Sequence, residues 1–445
     1  MADRIITAID IGSSKIATVI ALHEAAKVPS VIGVSSYPSQ GLKKGVIVNI
    51  DEAINSIAAS LEAAERMAGI TVSSVYISIN GKHITSTNNK GVVAVAQEEI
   101  NPDDIFRALE TAKTVSIPPT REILHVIPRQ FIVDAQGDIK DPIGMIGNRL
   151  EVDTHIISAT SSALHNLIRC ITQIGLKIDD VVFSGWAAAK SVLTNTEKEL
   201  GITLLDIGGG TTTITTFVDD AITYSGSVPF GGANITSDIA IGLRVNLEDA
   251  EKIKLNADEL MRNAKKPGPV SEATKKRKLL LNQKVDDDDE AEDEPDGDVK
   301  KKDIIDVSTL EIDGIKTISK KLFEDIIEAR LSEIFDIVID QIGQSGNEAR
   351  LPAGVVITGG SSLLPGISTI AKKVFGVPAR VGYPKGLEGL TDEISSPAYA
   401  VAQGLILSGA TDETYSGTKR QISLKAGKDG GFMSKVGGFF RSLIP

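Results

Sequence analysis

The stretch Ile202-Thr203-Leu204-Leu205-Asp206-Ile207-Gly208-Gly209-Gly210-Thr211-Thr212-Thr213-Ile214 runs from apolar residues through an aspartate and three glycines into a β-branched run. It reads as strand, tight turn, strand, because β-branched residues fit a pleated surface and glycine admits φ > 0 in the turn. Glycines also let backbone N–H groups come close to a phosphate that side chains would hold off. A dinucleotide fingerprint needs a helix directly after its glycines. Here the Thr/Ile alternation continues as strand, which excludes a Rossmann turn. The pattern occurs a second time, as Ile5-Ile6-Thr7-Ala8-Ile9-Asp10-Ile11-Gly12-Ser13-Ser14-Lys15-Ile16-Ala17. One such hairpin is an ordinary turn. Two copies nearly half the chain apart predict two related domains, each offering a phosphate-binding hairpin to one ligand.

Two weaker signals fit the same site. Val355-Val356-Ile357-Thr358-Gly359-Gly360-Ser361-Ser362 is a buried strand running into glycines and then serines able to cap a helix. Such a corner can pass close to a base or ribose, although alone it is an ordinary strand-to-helix corner. Ala250-Glu251-Lys252-Ile253-Lys254 is helical, with Glu251 and Lys254 three apart on one face. By itself that is a solvated ion pair.

Two Asp-Ile-Gly hairpins, Gly-Gly-Ser-Ser and Ala-Glu-x-Ile-Lys, taken together, resemble the actin-like ATPase superfamily. Further segments narrow the resemblance to the FtsA family of bacterial cell-division proteins. They are Ile32-Gly33-Val34-Ser35-Ser36, Ser74-Val75-Tyr76-Ile77-Ser78-Ile79-Asn80-Gly81-Lys82-His83-Ile84, Leu124-His125-Val126-Ile127-Pro128, Gly175-Leu176-Lys177-Ile178-Asp179 and Thr236-Ser237-Asp238-Ile239-Ala240.

The resemblance implies an α/β chain: an actin-like (ribonuclease H-like) two-domain fold with ATP in the interdomain cleft and an inserted α+β subdomain, 1C. It places residues 1–83 and 161–198 in subdomain 1A, with helix 398–408 packing on it, and 84–160 in 1C. Residues 199–245 and 325–397 become 2A, and 246–324 become 2B. Position by position, Asp10 and Asp206 hold Mg²⁺ largely through water, as that reluctantly dehydrated cation prefers. Gly12, Ser13 and Ser14 on one side, and Gly208, Gly209 and Gly210 on the other, hold the phosphates. Lys15 adds a charge and Thr211 a hydroxyl, and Gly232 lies near the phosphates. Glu251 and Lys254 border the adenosine, with Gly359, Gly360 and Ser361 beneath it. Phe183–Lys190 matches the first interdomain connection and carries no carboxylate to activate water, so ATP binding with slow turnover is expected.

Composition restricts the partners. A net charge of −12 argues against nucleic acid. The single cysteine, Cys170, excludes an internal disulfide and suits a reducing cytoplasm. No secretory signal pattern and no spanning run of about 18–20 apolar residues is found.

Helices are expected at Asp51–Met67, at Ser162–Ile174 and from Leu322 to Val338, each with apolar residues at helical spacing. Asn101 reads as an N-cap with Pro102 at the first helical position. Strands are expected at Glu122–Ile127, Gln130–Val133 and Val152–Ser158. Residues 265–303 pair a basic block with an almost wholly acidic one and are expected to be disordered. They read as a tolerated loop insertion, or more sharply as a charged contact or self-masking segment. A flexible linker over 409–430 precedes Gly431–Pro445. In that last stretch Phe432, Met433, Val436, Phe439, Phe440, Leu443 and Ile444 share one helical arc, and Lys435 and Arg441 fall opposite. That is the profile of an interfacial helix for an anionic membrane surface.

The expected function is an actin-like scaffold that polymerises with itself at the inner face of the cytoplasmic membrane. It would anchor FtsZ filaments there through subdomain 2B (helix Ser319–Arg330) and meet other division proteins through 1C. The alternatives are a sugar or acid kinase of the same superfamily, or another actin-like scaffold of the PilM or MreB kind.

Overall fold

The computed structural model describes residues 4–24, 27–114, 117–264, 304–312, 314–344 and 351–411. The charged insertion 265–303, the linker from residue 412 onward and the tail 431–445 lie outside them.

The duplicated sequence is a duplicated sheet. Arg4–Ile11, Lys15–His23 and Ser30–Pro38 form an antiparallel meander. Ser74–Ile79 runs parallel to the first of these strands, and Lys177–Phe183 runs parallel to Ser74–Ile79. The second sheet repeats this plan. Ile202–Ile207, Thr212–Val218 and Ala221–Val228 form the meander, Gly354–Thr358 runs parallel to Ile202–Ile207, and Ala379–Val381 runs parallel to Gly354–Thr358. The spatial order, third-second-first-fourth-fifth, is the same in both, with Glu388–Gly389 added to the edge of the first.

Central strands of a sheet covered on both faces are buried along their whole length, and every residue of Thr212–Val218 and of Gly354–Thr358 is buried. Ile6 and Ala8 point into one buried cluster, and Ile9 and Ile11 into another on the opposite face. The second cluster is covered by the helix Ile50–Ala68, through Ala53, Ile57, Leu61 and Ala64. Asn49 caps that helix by accepting from the amides of Asp51 and Glu52, and Gly69 ends it at φ 68°. The first cluster also takes in Ile202, Leu204 and Val356 of the second sheet, so the two sheets share a core. Two helices fill it, Ser184–Val192 and Ala400–Ala410. A Cβ at Gly404 would lie 1.8 Å from the Ala187 carbonyl oxygen, so their backbones touch only because glycine stands there.

The inserted α+β unit is a four-stranded antiparallel sheet of Thr85–Ala94, Arg149–Thr160, Arg121–Val133 and Gln136–Ile139. The helix Pro102–Lys113 covers it, with Asn101 and Asp104 forming a reciprocal capping box. The two strands expected at Glu122–Ile127 and Gln130–Val133 are one strand. Pro128 cannot donate to the ladder, and the register slips there: Asp153 pairs with Gln130 and Thr154 with Pro128, leaving Arg129 as the extra residue of a bulge.

The inserted unit caps the free edge of the second sheet. Ser86 Oγ donates to the Ser225 carbonyl at 2.8 Å, and Asn88 Nδ2 to the Thr223 carbonyl at 3.0 Å. His155 links the two sides: its Nδ1–H donates to Asn88 Oδ1 (2.7 Å), so Nε2 accepts from Ser225 Oγ (2.9 Å). Burial lowers the His155 pKa to about 3, which keeps the ring neutral for both bonds.

The chain divides into two compact units. The first takes the described residues of Met1–Ala233, Ser332–Leu363 and Ser368–Pro445, and the second those of Asn234–Leu331 and Leu364–Ile367. The second unit holds the helices Leu247–Leu255 and Ala257–Ala264 and the hairpin of Ile304–Asp306 with Thr317–Ser319. Ile253, Leu260, Ile305, Ile318, Phe323 and Ile327 are buried in it. The expected Leu322–Val338 helix runs over Lys320–Gln344. Among the described residues, no helix is long and apolar enough to cross a membrane.

Candidate functional site

Both Asp-Ile-Gly hairpins close in the same way. Gly12 N–H donates to the Lys15 carbonyl at 3.1 Å, and Gly208 N–H to the Thr211 carbonyl at 2.9 Å. In each, the aspartate pairs across the ladder with the residue seven further on, Asp10 with Ala17 and Asp206 with Thr213. The two turns meet. A Cβ on Gly209 would lie 2.5 Å from Ser14 Cβ, and one on Gly210 would lie 3.0 Å from Ser13 Cβ. Neither glycine can carry a side chain without moving the opposite turn, which is a spatial reason for the Gly-Gly-Gly run.

Asp10, Lys15 and Asp206 form one electrostatic cluster within the first unit. Burial pushes the Asp10 carboxyl above the usual carboxylate range, opposed by the Ser78 hydrogen bond and by Lys15. Burial, and then the Asp10 charge, push the Asp206 carboxyl up to about 7, with Lys15 opposing. Burial lowers the Lys15 ammonium while both carboxylates raise it. Lys15 Nζ also lies 3.9 Å from the centroid of the Tyr399 ring. Two carboxylates that repel each other, with one ammonium between them, are one positive charge short. A magnesium ion that keeps most of its waters needs only one or two protein carboxylates, so this donor set fits it. Among the described residues no cluster of three or more His, Cys, Asp or Glu side chains could hold a metal directly.

The Gly-Gly-Ser corner closes on the second hairpin. Asp206 pairs in parallel with Thr358. Gly359 follows at φ 86°, and a Cβ there would meet Asp206 Oδ1 at 2.4 Å. Ser361 Oγ donates to the Gly208 carbonyl at 3.2 Å. The serines expected to cap a helix lie instead in a single 3₁₀ turn, Gly360–Leu363. Gly232 opens the helix Gly232–Leu243, and its amide donates to the Gly208 carbonyl at 2.9 Å, so it braces the turn from behind.

Glu251 and Lys254 belong to the second unit. They pair at 2.7 Å, and Thr236 joins them: its Oγ1 donates to Glu251 Oε2 at 2.5 Å and accepts from Lys254 Nζ at 2.9 Å. The expected ion pair is therefore a closed triad with Lys254 only 10% exposed. The first interdomain connection, read as a link, is the helix Ser184–Val192. Ser184 Oγ lies 3.4 Å from Thr213 Oγ1 on the second hairpin.

Ser78 is a site residue that motif reading missed. Its hydroxyl donates to Asp10 Oδ1 at 2.8 Å. Its only sequence signal was its place in a family segment. Lys44 was missed altogether; its backbone amide lies 3.2 Å from where a Cβ on Gly210 would stand, and the Gly45 amide donates to Ser13 Oγ at 2.8 Å.

A family model described as "Cell division protein FtsA" matches residues 203–404, and one described as "SHS2 domain inserted in FTSA" matches residues 81–158. The cell division protein FtsA of Pseudomonas aeruginosa is 34% identical over 406 residues, covering 91% of this chain and 89% of its own. That of Bacillus subtilis is 36% identical, covering 88% and 80%. Among solved structures, the PilM-PilN type IV pilus biogenesis complex superposes with a TM-score of 0.59 at 15% identity, covering 91% of this chain and 98% of its own.

Two like sheets, each opened by an Asp-Ile-Gly hairpin whose turn meets its counterpart, define an actin-like fold. The inserted α+β unit interrupting the first half then singles out one branch of it. This chain belongs to the FtsA family of cell division proteins.

Proposed function

We infer that the chain binds ATP with Mg²⁺ between the two hairpin turns and works as a membrane-attached scaffold of the division apparatus. The observation that carries this reading is the cluster of Asp10, Lys15 and Asp206 beside two touching, glycine-lined turns. Amides of Ser13 and Ser14 face the phosphates from one side and those of Gly209 and Gly210 from the other, while the amides of Gly12 and Gly208 close their own turns and let the backbone come close. Lys15 and Thr211 add a charge and a hydroxyl. Asp10 and Asp206 orient the waters of the metal. Glu251 and Lys254 border the adenosine, with Gly359, Gly360 and Ser361 beneath it and Gly232 supporting the phosphate turn. A bound magnesium supplies the positive charge that the carboxylate pair and the phosphates require.

The division into 1A, 1C, 2A and 2B carries the partners. Nucleotide-bound subunits assemble into filaments on the inner face of the cytoplasmic membrane. The 2B lobe takes the C-terminal peptide of FtsZ, 1C meets later division proteins, and the helix 431–445 holds the filament to anionic lipid. Turnover is slow, the nucleotide acting as an assembly ligand.

Titration of Mg-ATP into the full chain tests the core of this reading. Asp206→Ala should weaken binding tenfold or more, about 1.4 kcal/mol. Unaltered affinity would place the metal elsewhere. Capture on immobilised FtsZ C-terminal peptide tests the partner.

A further inference from the structure

A cavity of about 500 Å³ lies within the first unit and shares no residue with the hairpin turns. That volume falls in the range of pockets that enclose a small ligand. Much of the wall is apolar. Phe131 comes from the inserted sheet, Trp186 and Ala189 from the helix Ser184–Val192, Phe217 and Ile222 from the second sheet, and Leu407 from the helix Ala400–Ala410. Arg129 also lines it. As the extra residue of the bulge beside Pro128, its side chain is re-aimed out of the strand's alternation. Its Nε is buried, and among the described residues it has neither a hydrogen-bond acceptor nor an ion-pair partner. The other charges on the lining are differently placed. Lys190 Nζ sits 5.0 Å from the Trp186 ring centroid and Lys198 Nζ 5.6 Å from that of Phe217. Asp219 and Asp220 form an exposed turn, and Asp220 pairs with Lys140 at 3.2 Å.

A buried donor with no acceptor has given up its hydration for nothing. A carboxylate or phosphate oxygen satisfies a guanidinium best, because it accepts two parallel, charge-assisted bonds from the planar fork. The apolar wall favours hydrocarbon beside that head. A planar aromatic body fits less well, because the rings already carry neighbours: His125 stands edge-on to Trp186 at 4.8 Å, and the two lysines lie over Trp186 and Phe217. A flexible chain needs only contact area. We propose that this cavity binds an anionic amphiphile, its carboxylate or phosphate-monoester head on Arg129 and its hydrocarbon chain against Phe131, Ala189, Phe217, Ile222 and Leu407. The occupant touches the inserted sheet, the second sheet and both core helices, so it ties the inserted unit to the body. The site uses none of Asp10, Lys15 and Asp206 and stands apart from the nucleotide reading.

Trp186 is the chain's only tryptophan and lines the cavity, so its emission reports occupancy directly. Decanoate, decyl phosphate and 1-decanol are titrated into the full chain below their micellar or solubility limits. At least one of the two anions should change the emission saturably. The tighter of them names the source, a free fatty acid for the carboxylate and a phospholipid fragment for the phosphate. R129Q should weaken that anion by about tenfold or more, and R129K should recover part of the loss by keeping the charge without the fork. The uncharged 1-decanol should not distinguish R129Q from the parent. A221F, which adds a ring at the second-sheet wall, should abolish anion binding with Arg129 still in place. Melting curves of each variant, and an unchanged Mg-ATP affinity, confirm that the rest of the fold is intact. No saturable response to either anion overturns the proposal, as does equal anion affinity in the parent and R129Q. Undiminished binding by A221F overturns it too, since the chain would then lie elsewhere.

Discussion

The Ser78 hydroxyl donates to Asp10 Oδ1 at 2.8 Å while accepting from the Ile11 amide at 2.9 Å. Ser78 stands on the strand that runs parallel to the one carrying Asp10, so the sheet itself aims the carboxylate. Ser78→Ala should raise the Asp10 pKa further, because the bond it removes favours the charged form. Loss of a hydrogen bond to a charged group costs about 1.5–3 kcal/mol. Mg-ATP affinity should fall correspondingly, as read by calorimetric titration, and an unchanged affinity would separate Ser78 from the metal.

Asp206 sets a pH dependence. Its carboxyl rises from 3.8 to about 7 on folding. Between those values the folded state holds a proton that the unfolded state has released. This contribution to stability is therefore present at low pH and lost as pH rises through about 7. Without nucleotide, the melting temperature should fall from pH 5.5 to 7.5. If Asp206 orients the waters of a bound magnesium, as proposed, the ionised carboxyl is the binding form, so Mg-ATP affinity should rise over the same window and binding should release protons. Titrations in buffers of different ionisation enthalpy measure that release.

Gly359→Ala combines two faults. Its φ of 86° disfavours a side chain, and the new Cβ would meet Asp206 Oδ1 at 2.4 Å and the Ile207 carbonyl oxygen at 2.6 Å. Destabilisation of about 2–4 kcal/mol is expected in denaturant unfolding. Gly360→Ala, whose nearest neighbour is Ala398 Cβ at 3.9 Å, should be close to neutral and is the control.

Glu251→Ala removes the acceptor shared by Thr236 and Lys254. A loss of about 1–3 kcal/mol is expected. Hydrogen exchange should place the loosening in the helices Gly232–Leu243 and Leu247–Leu255. Exchange there identical to the parent would show that the triad is not what fixes them.

Deletion of Gly431–Pro445 should abolish co-sedimentation with anionic vesicles. Lys435→Glu with Arg441→Glu should weaken it by about 1 kcal/mol for each cation lost, more with each reversal. Undiminished lipid binding by the truncated chain would remove the membrane claim.

The sequence by itself determined whatever depends on neighbours along the chain. The two Asp-Ile-Gly turns were legible because an apolar strand, a glycine turn and a second strand are local patterns. The Asn101 cap and the helices of the two sheets were legible because capping and 3.6-residue periodicity are local too. Folding decided what depends on partners far apart in sequence. Ser78 reaches Asp10 across 68 positions, and Ser361 reaches Gly208 across 153. Thr236 completes the Glu251–Lys254 pair from another helix. The bulge at Arg129 follows from the register against Thr154 and Asp153, not from the composition of its own strand. Register and long-range pairing are settled only when the sheets close, and it is that closure which turns two ordinary glycine turns into a single charged site.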